Sequence, residues 1–134
     1  MLIALRKRHP ALRRRNFLRG SGPHGDMRAD VIWHGVEPFA PDFSHTSRTL
    51  AFCLDGTQTQ RERDRDFYVA CNGWTGAIGF RVPRSPNGKL WRRAIDTSLL
   101  SPLDILGPDE GPVIPAEMTY RVAPHSMIVL IAEA

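Results

Sequence analysis

Acid–base hydrolysis takes two carboxyl groups facing each other across the bond to be broken, one to protonate and one to attack or to activate water. The acids of this sequence are poorly placed for such work. Glu62, Asp64 and Asp66 alternate with Arg61, Arg63 and Arg65, which reads as a self-neutralising, solvated loop. Asp104, Asp109 and Glu110 stand in a Pro-rich stretch where turn formation is the expected role. The histidines, His9, His24, His34, His45 and His125, are dispersed singly, with no i,i+4 pair and no cysteine at ligand spacing, so no metal site is expected. Ser44-His45 and Ser126 lack a nucleophile-elbow context, and no Gly-rich loop opens a helix to cradle phosphate. No catalytic residue, no metal ligand and no cofactor is expected.

Aromatic rings are the other source of binding chemistry. Trp33, Trp74 and Trp91 offer flat faces on which a sugar ring could stack, and Trp74 sits in Asn72-Gly73-Trp74-Thr75-Gly76, an expected exposed turn. Trp74, Asn72 and Trp33 are therefore the candidate ligand contacts. For Trp33 and Trp91, which lie within strand-like runs, core packing is the favoured role. Cys53 and Cys71 fall in separate predicted strands that would bring them near each other if the strands pair. Two reduced, buried thiols are expected, since nothing indicates an oxidising compartment.

The elements that must position these groups are bounded first by size and charge. A chain of 134 residues makes one domain's worth of core. The longest apolar run, 127–132, is far below the roughly 18 residues a membrane span needs. The basic cluster follows the N-terminal apolar residues instead of preceding them, so no secretory signal is expected and a cytoplasmic location is the default. The formal charge of +4 is unevenly spread: residues 1–20 carry seven basic side chains and no acid, leaving 11 basic against 14 acidic residues in the body. The high pI thus belongs to one terminal segment, whose arginines would be the means of binding nucleic acid or an acidic partner. No aromatic platform or nucleic-acid motif accompanies them, so neither nucleic acid nor membrane is an expected partner.

Within that segment Leu2, Ile3, Leu5, His9 and Leu12 recur near helical spacing, predicting a basic amphipathic helix. Pro10 cannot continue it, so a break is expected at His9, with a second short helical piece beginning at Pro10. Periodicity starts at residue 2 with no capping side chain before it, as though the chain began mid-element, which is expected of a truncated or split frame. Residues 20–25 read as flexible loop. The organisation expected is a helical lead-in over 1–19 and a β domain over 20–134.

Beyond the loop the pattern becomes short strand-like runs at 31–34, 48–54, 66–71, 77–82, 90–96, 118–122 and 126–132. In the second, Leu50, Phe52 and Leu54 alternate with Thr49, Ala51 and Cys53, the period of a strand with one face in the core. Pro86-Asn87-Gly88 predicts a turn making a hairpin of the fourth and fifth runs. Long irregular stretches at 35–47 and 98–117 are expected to be functional, disordered or packed on something outside the chain. The fold class predicted is mainly β, an antiparallel β-sandwich preceded by an N-terminal amphipathic helix.

Particular residues then carry a resemblance. Leu2-Ile3-Ala4-Leu5-Arg6-Lys7-Arg8-His9-Pro10-Ala11-Leu12-Arg13 resembles the last barrel helix of the α-amylase clan, which ends in a His-Pro-Ala-Leu break before a C-terminal sandwich. Trp33-His34-Gly35, Pro41-Asp42-Phe43-Ser44 and Ser47-Arg48-Thr49-Leu50-Ala51-Phe52 are similar to the following stretch of glycogen-debranching enzymes of the isoamylase and GlgX type. The same holds for Asp66-Phe67-Tyr68-Val69-Ala70 with Asn72, Trp91-Arg92-Arg93 with Asp96-Thr97, and Tyr120-Arg121-Val122-Ala123-Pro124 with Ser126. Cys71 and Gly73-Trp74-Thr75-Gly76 depart from the family pattern.

The resemblance implies a non-catalytic C-terminal domain of an enzyme that hydrolyses α-1,6 branch linkages. Its partner would be a (β/α)8 barrel carrying all the catalytic acids, with Leu2, Ile3, Leu5 and Leu12 packing the lead-in at the barrel interface. A stand-alone α-glucan-binding module using Trp74, Asn72 and Trp33 is the alternative. A binder of nucleic acid or an acidic partner through the Arg-rich helix is a second.

Overall fold

The computed structural model describes residues 1–15, 17–20, 29–59 and 62–134. Most of the loop expected at 20–25, and the side chains of His24 and Arg61, lie outside them.

The chain opens with helix α1 (Leu2–Arg8), which has no side-chain cap at its start. At His9 the backbone turns extended, φ −109° and ψ 106°, and a 3₁₀ turn follows over Pro10–Leu12 with Pro10 at its first position. Pro10 has no N–H to lose there, and its fixed φ suits a helical start, so the break falls where the sequence predicted it.

Among the described residues eight strands follow: β1 (Val31–His34), β2 (Thr49–Leu54), β3 (Phe67–Asn72), β4 (Ile78–Arg81), β5 (Trp91–Asp96), β6 (Val113–Ile114), β7 (Thr119–Val122) and β8 (Ser126–Ala132). A second 3₁₀ turn, Gly56–Gln58, follows β2. The large sheet runs β1-β2-β3-β8-β5-β6 and the small one β4-β7, every pairing antiparallel. The mainly β, antiparallel two-sheet fold with one short N-terminal helix is therefore as expected.

The predicted hairpin is a correction. Pro86-Asn87-Gly88 does turn, with Gly88 at φ +72°, but β4 pairs with β7 while β5 pairs with β8 and β6. The turn hands the chain from one sheet to the other. Turn chemistry reports a local reversal; which strands then share hydrogen bonds is settled by which faces bury together.

The one-sided alternation read into β2 is a second correction. Ala51 and Cys53 join Tyr68, Ala70, Trp91, Ile128 and Leu130 in a core shared with Phe80, Val82 and Val122 of the small-sheet side. Leu54 and Phe52 face the other way, into a second core with Val31, Phe67, Val69, Val129 and Ile131. Leu5, Ala11 and Leu12 of the lead-in and Ile105 of the β5–β6 loop pack against that second core. The large sheet is thus the middle of three layers, which explains why β3 and β8 read as nearly continuous apolar runs. Stretch 98–117 is held within the chain itself: Ile105 bridges Ile95, Leu106 N donates to Ala94 O at 2.9 Å, and β6 lies inside it.

Candidate docking face and its clamped lead-in

The residues that distinguish this fold are carboxylates fastening the basic lead-in. Asp64 lies in the loop before β3, its side chain almost wholly buried. Its Oδ2 accepts from Ala11 N at 2.9 Å and its Oδ1 from Arg65 N at 2.7 Å. His9 Nδ1 stands 2.7 Å from Oδ1, with the imidazole as donor because an ionised carboxylate can only accept. Burial alone would push the Asp64 carboxyl up, but the hydrogen bonds from His9, Ala11 and Arg65 outweigh it and hold the group below its ordinary range. Asp64 therefore caps the turn after the break, and the His9 ring packs edge-on against Phe67, centroids 5.0 Å apart.

Asp30 is the second clamp. Buried beside β1, it accepts from Arg19 N at 3.1 Å, Gly20 N at 2.9 Å and Arg14 Nη2 at 3.2 Å. Arg14 also donates to Gln58 O, and Arg13 Nε to Lys7 O. Arg13 and Arg14 of the basic segment, read from the sequence as part of a surface for nucleic acid or an acidic partner, are thus structural fasteners of the lead-in.

The acidic run was expected to be solvated, and here the structure corrects it. Asp66 is buried and accepts from Gly56 N at 2.9 Å, Asn87 N at 2.9 Å and Asn87 Nδ2 at 2.7 Å. Burial, with the neighbouring Asp55 adding to it, pushes its carboxyl up. Asp55 caps the 3₁₀ turn through Thr57 N at 2.9 Å and also receives Asn87 Nδ2 at 3.0 Å. These two acids converge, but both are buried and bound to backbone and amide donors. Only glycine fits at 56, where a Cβ would lie 2.1 Å from Asp64 O. A signal for this cluster existed in the sequence, Asp-Gly-Thr at 55–57 being an Asx-turn pattern.

The tryptophans divide. Trp91 is in the core as expected, its indole N–H donating to Pro83 O at 2.7 Å. Trp33, for which core packing was favoured, is 40% exposed. It lies opposite Phe52 on the lead-in face of the sheet, with Phe43 and Phe52 edge-on at 5.5 and 5.6 Å between ring centroids. Trp74 is also partly exposed, with the Arg48 guanidinium 4.4 Å from its ring centroid. Asn72 is buried, and its amide is engaged with Gly76 O, Val122 O, Ala123 O and Trp74 N. The structure leaves Trp33 and part of Trp74 open to a ligand and holds the Asn72 amide within the turn.

Cys53 and Cys71 are free thiols on neighbouring strands, but Cys53 faces the inter-sheet core and Cys71 the lead-in face. Burial pushes both thiols up. Cys71, expected to be buried, is only half-buried. Among the other buried groups, His34 is lowered to about 4 by desolvation, and its Nδ1 accepts from Phe39 N at 2.8 Å. It is a neutral structural imidazole. Among the described residues no group of three or more His, Cys, Asp or Glu could hold a metal, and no helix is long and apolar enough to cross a membrane.

The sheet face under the lead-in is only half covered. The row Leu54–Phe67–Ile131 is buried, whereas in the row Leu50–Cys71–Met127 Leu50 is exposed and the other two are half-buried. Trp33, Phe43, Leu100 and Leu103 are exposed as well. The lead-in divides its own stripe likewise: Leu5 and Leu12 pack inward, while Leu2 and Ile3 are 52% and 74% exposed. These residues leave a partly open apolar surface beside the lead-in.

An antiparallel β-sandwich domain entered through a broken amphipathic helix is the class these features define. Residues 32–130 match the family model described as Isoamylase 1-3, C-terminal. An isoamylase of Flavobacterium sp is 33% identical over 98% of the chain and 18% of its own length. Isoamylase 3, chloroplastic, of Oryza sativa subsp. japonica is 33% identical over 98% of the chain and 14% of its own length, and an isoamylase of Pseudomonas amyloderamosa 32% over 72% and 12%. The chain belongs to the isoamylase C-terminal family, and it spans less than a fifth of the length of these relatives.

Proposed function

We propose that this chain serves as the non-catalytic C-terminal domain of an isoamylase-type enzyme that hydrolyses α-1,6 branch linkages, and that it supports a catalytic (β/α)8 barrel. The observation that carries this is the division of the lead-in helix. Leu5 and Leu12 face the sheet while Leu2 and Ile3 face outward, as befits a helix shared between two bodies. The half-open face around Leu50, Trp33 and Phe43 extends that surface, and the Asp64 and Asp30 clamps hold helix and sandwich at a set angle. The two acids that line the cleft beside the lead-in are both engaged, Asp64 with His9, Ala11 and Arg65 and Asp109 with Arg65, so this reading gives branch hydrolysis to the barrel.

Two measurements test the reading. The purified 134-residue chain is expected to release no reducing ends from glycogen or limit dextrin; turnover that a point substitution in this chain abolishes would overturn it. In a chimera carrying this chain in place of the corresponding region of the Flavobacterium enzyme, Leu2→Asp with Ile3→Asp is expected to lower the thermal midpoint, while the isolated chain is unaffected. An unchanged midpoint in the chimera counts against the barrel-supporting role.

A second reading rests on Trp33. Its exposed ring stands with Phe43 in an edge-to-face corner, a shape that takes the apolar face of a glucose ring, and Trp74 presents a further partly open ring. The sandwich would then also bind α-glucan. Saturable quenching of tryptophan fluorescence by maltooligosaccharides, lost in Trp33→Ala, is the expected signature, and the absence of any change at millimolar sugar removes the idea.

A further inference from the structure

A cleft of about 430 Å³ opens where the end of α1, the loop before β3, strand β5 and the β5–β6 loop meet. Its floor is apolar, from Leu5, Leu106 and Ile131, and its walls carry the guanidinium groups of Arg8, Arg63, Arg65 and Arg92; Arg93 also lines it, but its side chain lies with Asp96 and Tyr120. We propose that this cleft is an anion site built for a phosphate group, either inorganic phosphate or the phosphate monoester of a small sugar. Nothing in the proposed support of a barrel requires such a site.

Four guanidinium groups brought together from three elements are a costly arrangement unless an anion joins them, because like charges repel more strongly beside a low-dielectric floor. Two of the four are already satisfied. Arg65 makes a two-point contact with Asp109, with Nη2 3.1 Å from Oδ2. Arg92 donates from Nε to Glu133 Oε1 at 2.7 Å and from Nη1 to Gly111 O at 2.9 Å. Arg8 and Arg63 are exposed and have no hydrogen bond or ion pair among the described residues. They are the free cations of the cleft, and the guanidinium fork matches phosphate oxygens two at a time.

The acids present sharpen the assignment. Asp64 is used up by His9, Ala11 and Arg65, and the terminal residue Ala134 also lines the cleft. Asp109 is the instructive one. Half exposed, it lies on Arg65 and within the field of Arg92 and Arg8, and that positive surround holds its carboxyl below the ordinary range. It acts as a resident anion marking where negative charge is favoured. An incoming ligand must compete with it, which calls for more than one negative charge; phosphate and its monoesters carry nearly two at neutral pH, a simple carboxylate one. The volume admits a phosphate with one sugar ring against the apolar floor. Because Asp109 has φ +58°, asparagine can replace it without backbone strain.

The test is a titration of the 134-residue chain with inorganic phosphate, glucose 1-phosphate and neutral maltose at constant ionic strength. Calorimetry and backbone-amide NMR shifts are the readouts. Saturable shifts at residues 63–65 and 107–109 are expected with phosphate, with the ester, or with both, the tighter of the two identifying the source. Arg8→Ala with Arg63→Ala should weaken binding at least about tenfold, the weight of one charged hydrogen bond, and Asp109→Asn should tighten it several-fold. Arg63→Lys, which keeps the charge but loses the fork, should fall between wild type and the alanine variant. The proposal is overturned by the absence of saturable shifts at millimolar anion, by an equal response to maltose, or by arginine variants that bind like wild type. None of these results depends on whether the chain supports a barrel.

Discussion

His9 and Asp64, 55 positions apart, meet with Nδ1 2.7 Å from Oδ1, and the other oxygen of the same carboxylate takes Ala11 N at 2.9 Å. One buried side chain thereby fixes both the residue at which the lead-in helix breaks and the turn that follows. Replacing it with asparagine leaves a single accepting oxygen for donors that now use two. Asp64→Asn should therefore cost about 1–3 kcal/mol in urea unfolding, and His9→Ala should show little further effect in that background. Full additivity of the two substitutions would show that the pair is not coupled.

The same group sets a pH dependence. Its folded-state pKa lies below the unfolded value of about 3.9, so its stabilisation is fully present above that value and is lost as pH falls through the folded pKa. Asp66 has the opposite sign, its carboxyl being raised, so its protonation favours the folded state as acid is added. The gap in stability between wild type and Asp64→Asn should be widest at neutral pH and shrink below about pH 4. A gap that stayed constant into acid would show that the carboxylate's charge plays no part.

The two sides of α1 should behave differently in the isolated chain. Leu5→Ala uncovers the second core and should cost about 1–3 kcal/mol, less than a fully buried leucine because Leu5 is half-exposed. Ile3→Asp should stay within about 0.5 kcal/mol. Chemical denaturation of both variants checks the pair, and equal losses would contradict the division of the stripe.

Thiol labelling reads out the two faces of the large sheet. Cys71, half-buried, should react slowly with an aromatic disulfide reagent under native conditions, and Cys53 only at the rate of unfolding. Mild oxidation should form no intramolecular disulfide, since the side chains leave the sheet on opposite sides. Mass spectrometry of the oxidised, digested chain would detect a Cys53–Cys71 bridge if the faces were wrongly assigned.

Trp91 ties the two layers through its indole N–H to Pro83 O. Trp91→Phe leaves that carbonyl unpaired in the core and a void beside it, with an expected loss of about 2–4 kcal/mol. Near-ultraviolet circular dichroism should report loosened packing together with the lowered denaturation midpoint.

Local chemistry was legible wherever a residue's own constraints decide the outcome. Pro10 lacks an N–H, so the helix had to break before it, and the strand runs carried their apolar residues close to where the strands begin and end. The ordered motifs from Trp33-His34-Gly35 to Tyr120-Arg121-Val122 pointed to the family that the comparison then showed. Charge, by contrast, misled. Glu62, Asp64 and Asp66 among arginines looked like a solvated run because a sequence pairs each acid with its neighbours in the chain. In the fold, Asp64 pairs with His9 at the helix end 55 positions away and with Ala11 of the turn that follows, and Asp66 pairs with Asn87.

What the sequence by itself determined is therefore seven of the eight strands of the described residues, their order and the break at His9, all properties of a few adjacent residues; the two-residue β6 inside 98–117 was not among them. Tertiary structure alone decided the rest: β4 joins β7 and not β5, Trp33 stands exposed while Trp91 is buried, and the basic lead-in is fastened by Asp64 and Asp30 as the third layer of the fold. The physical reason is that strand partnership and ion pairing are chosen by burial of whole faces against one another. A face exists only once distant segments have come together.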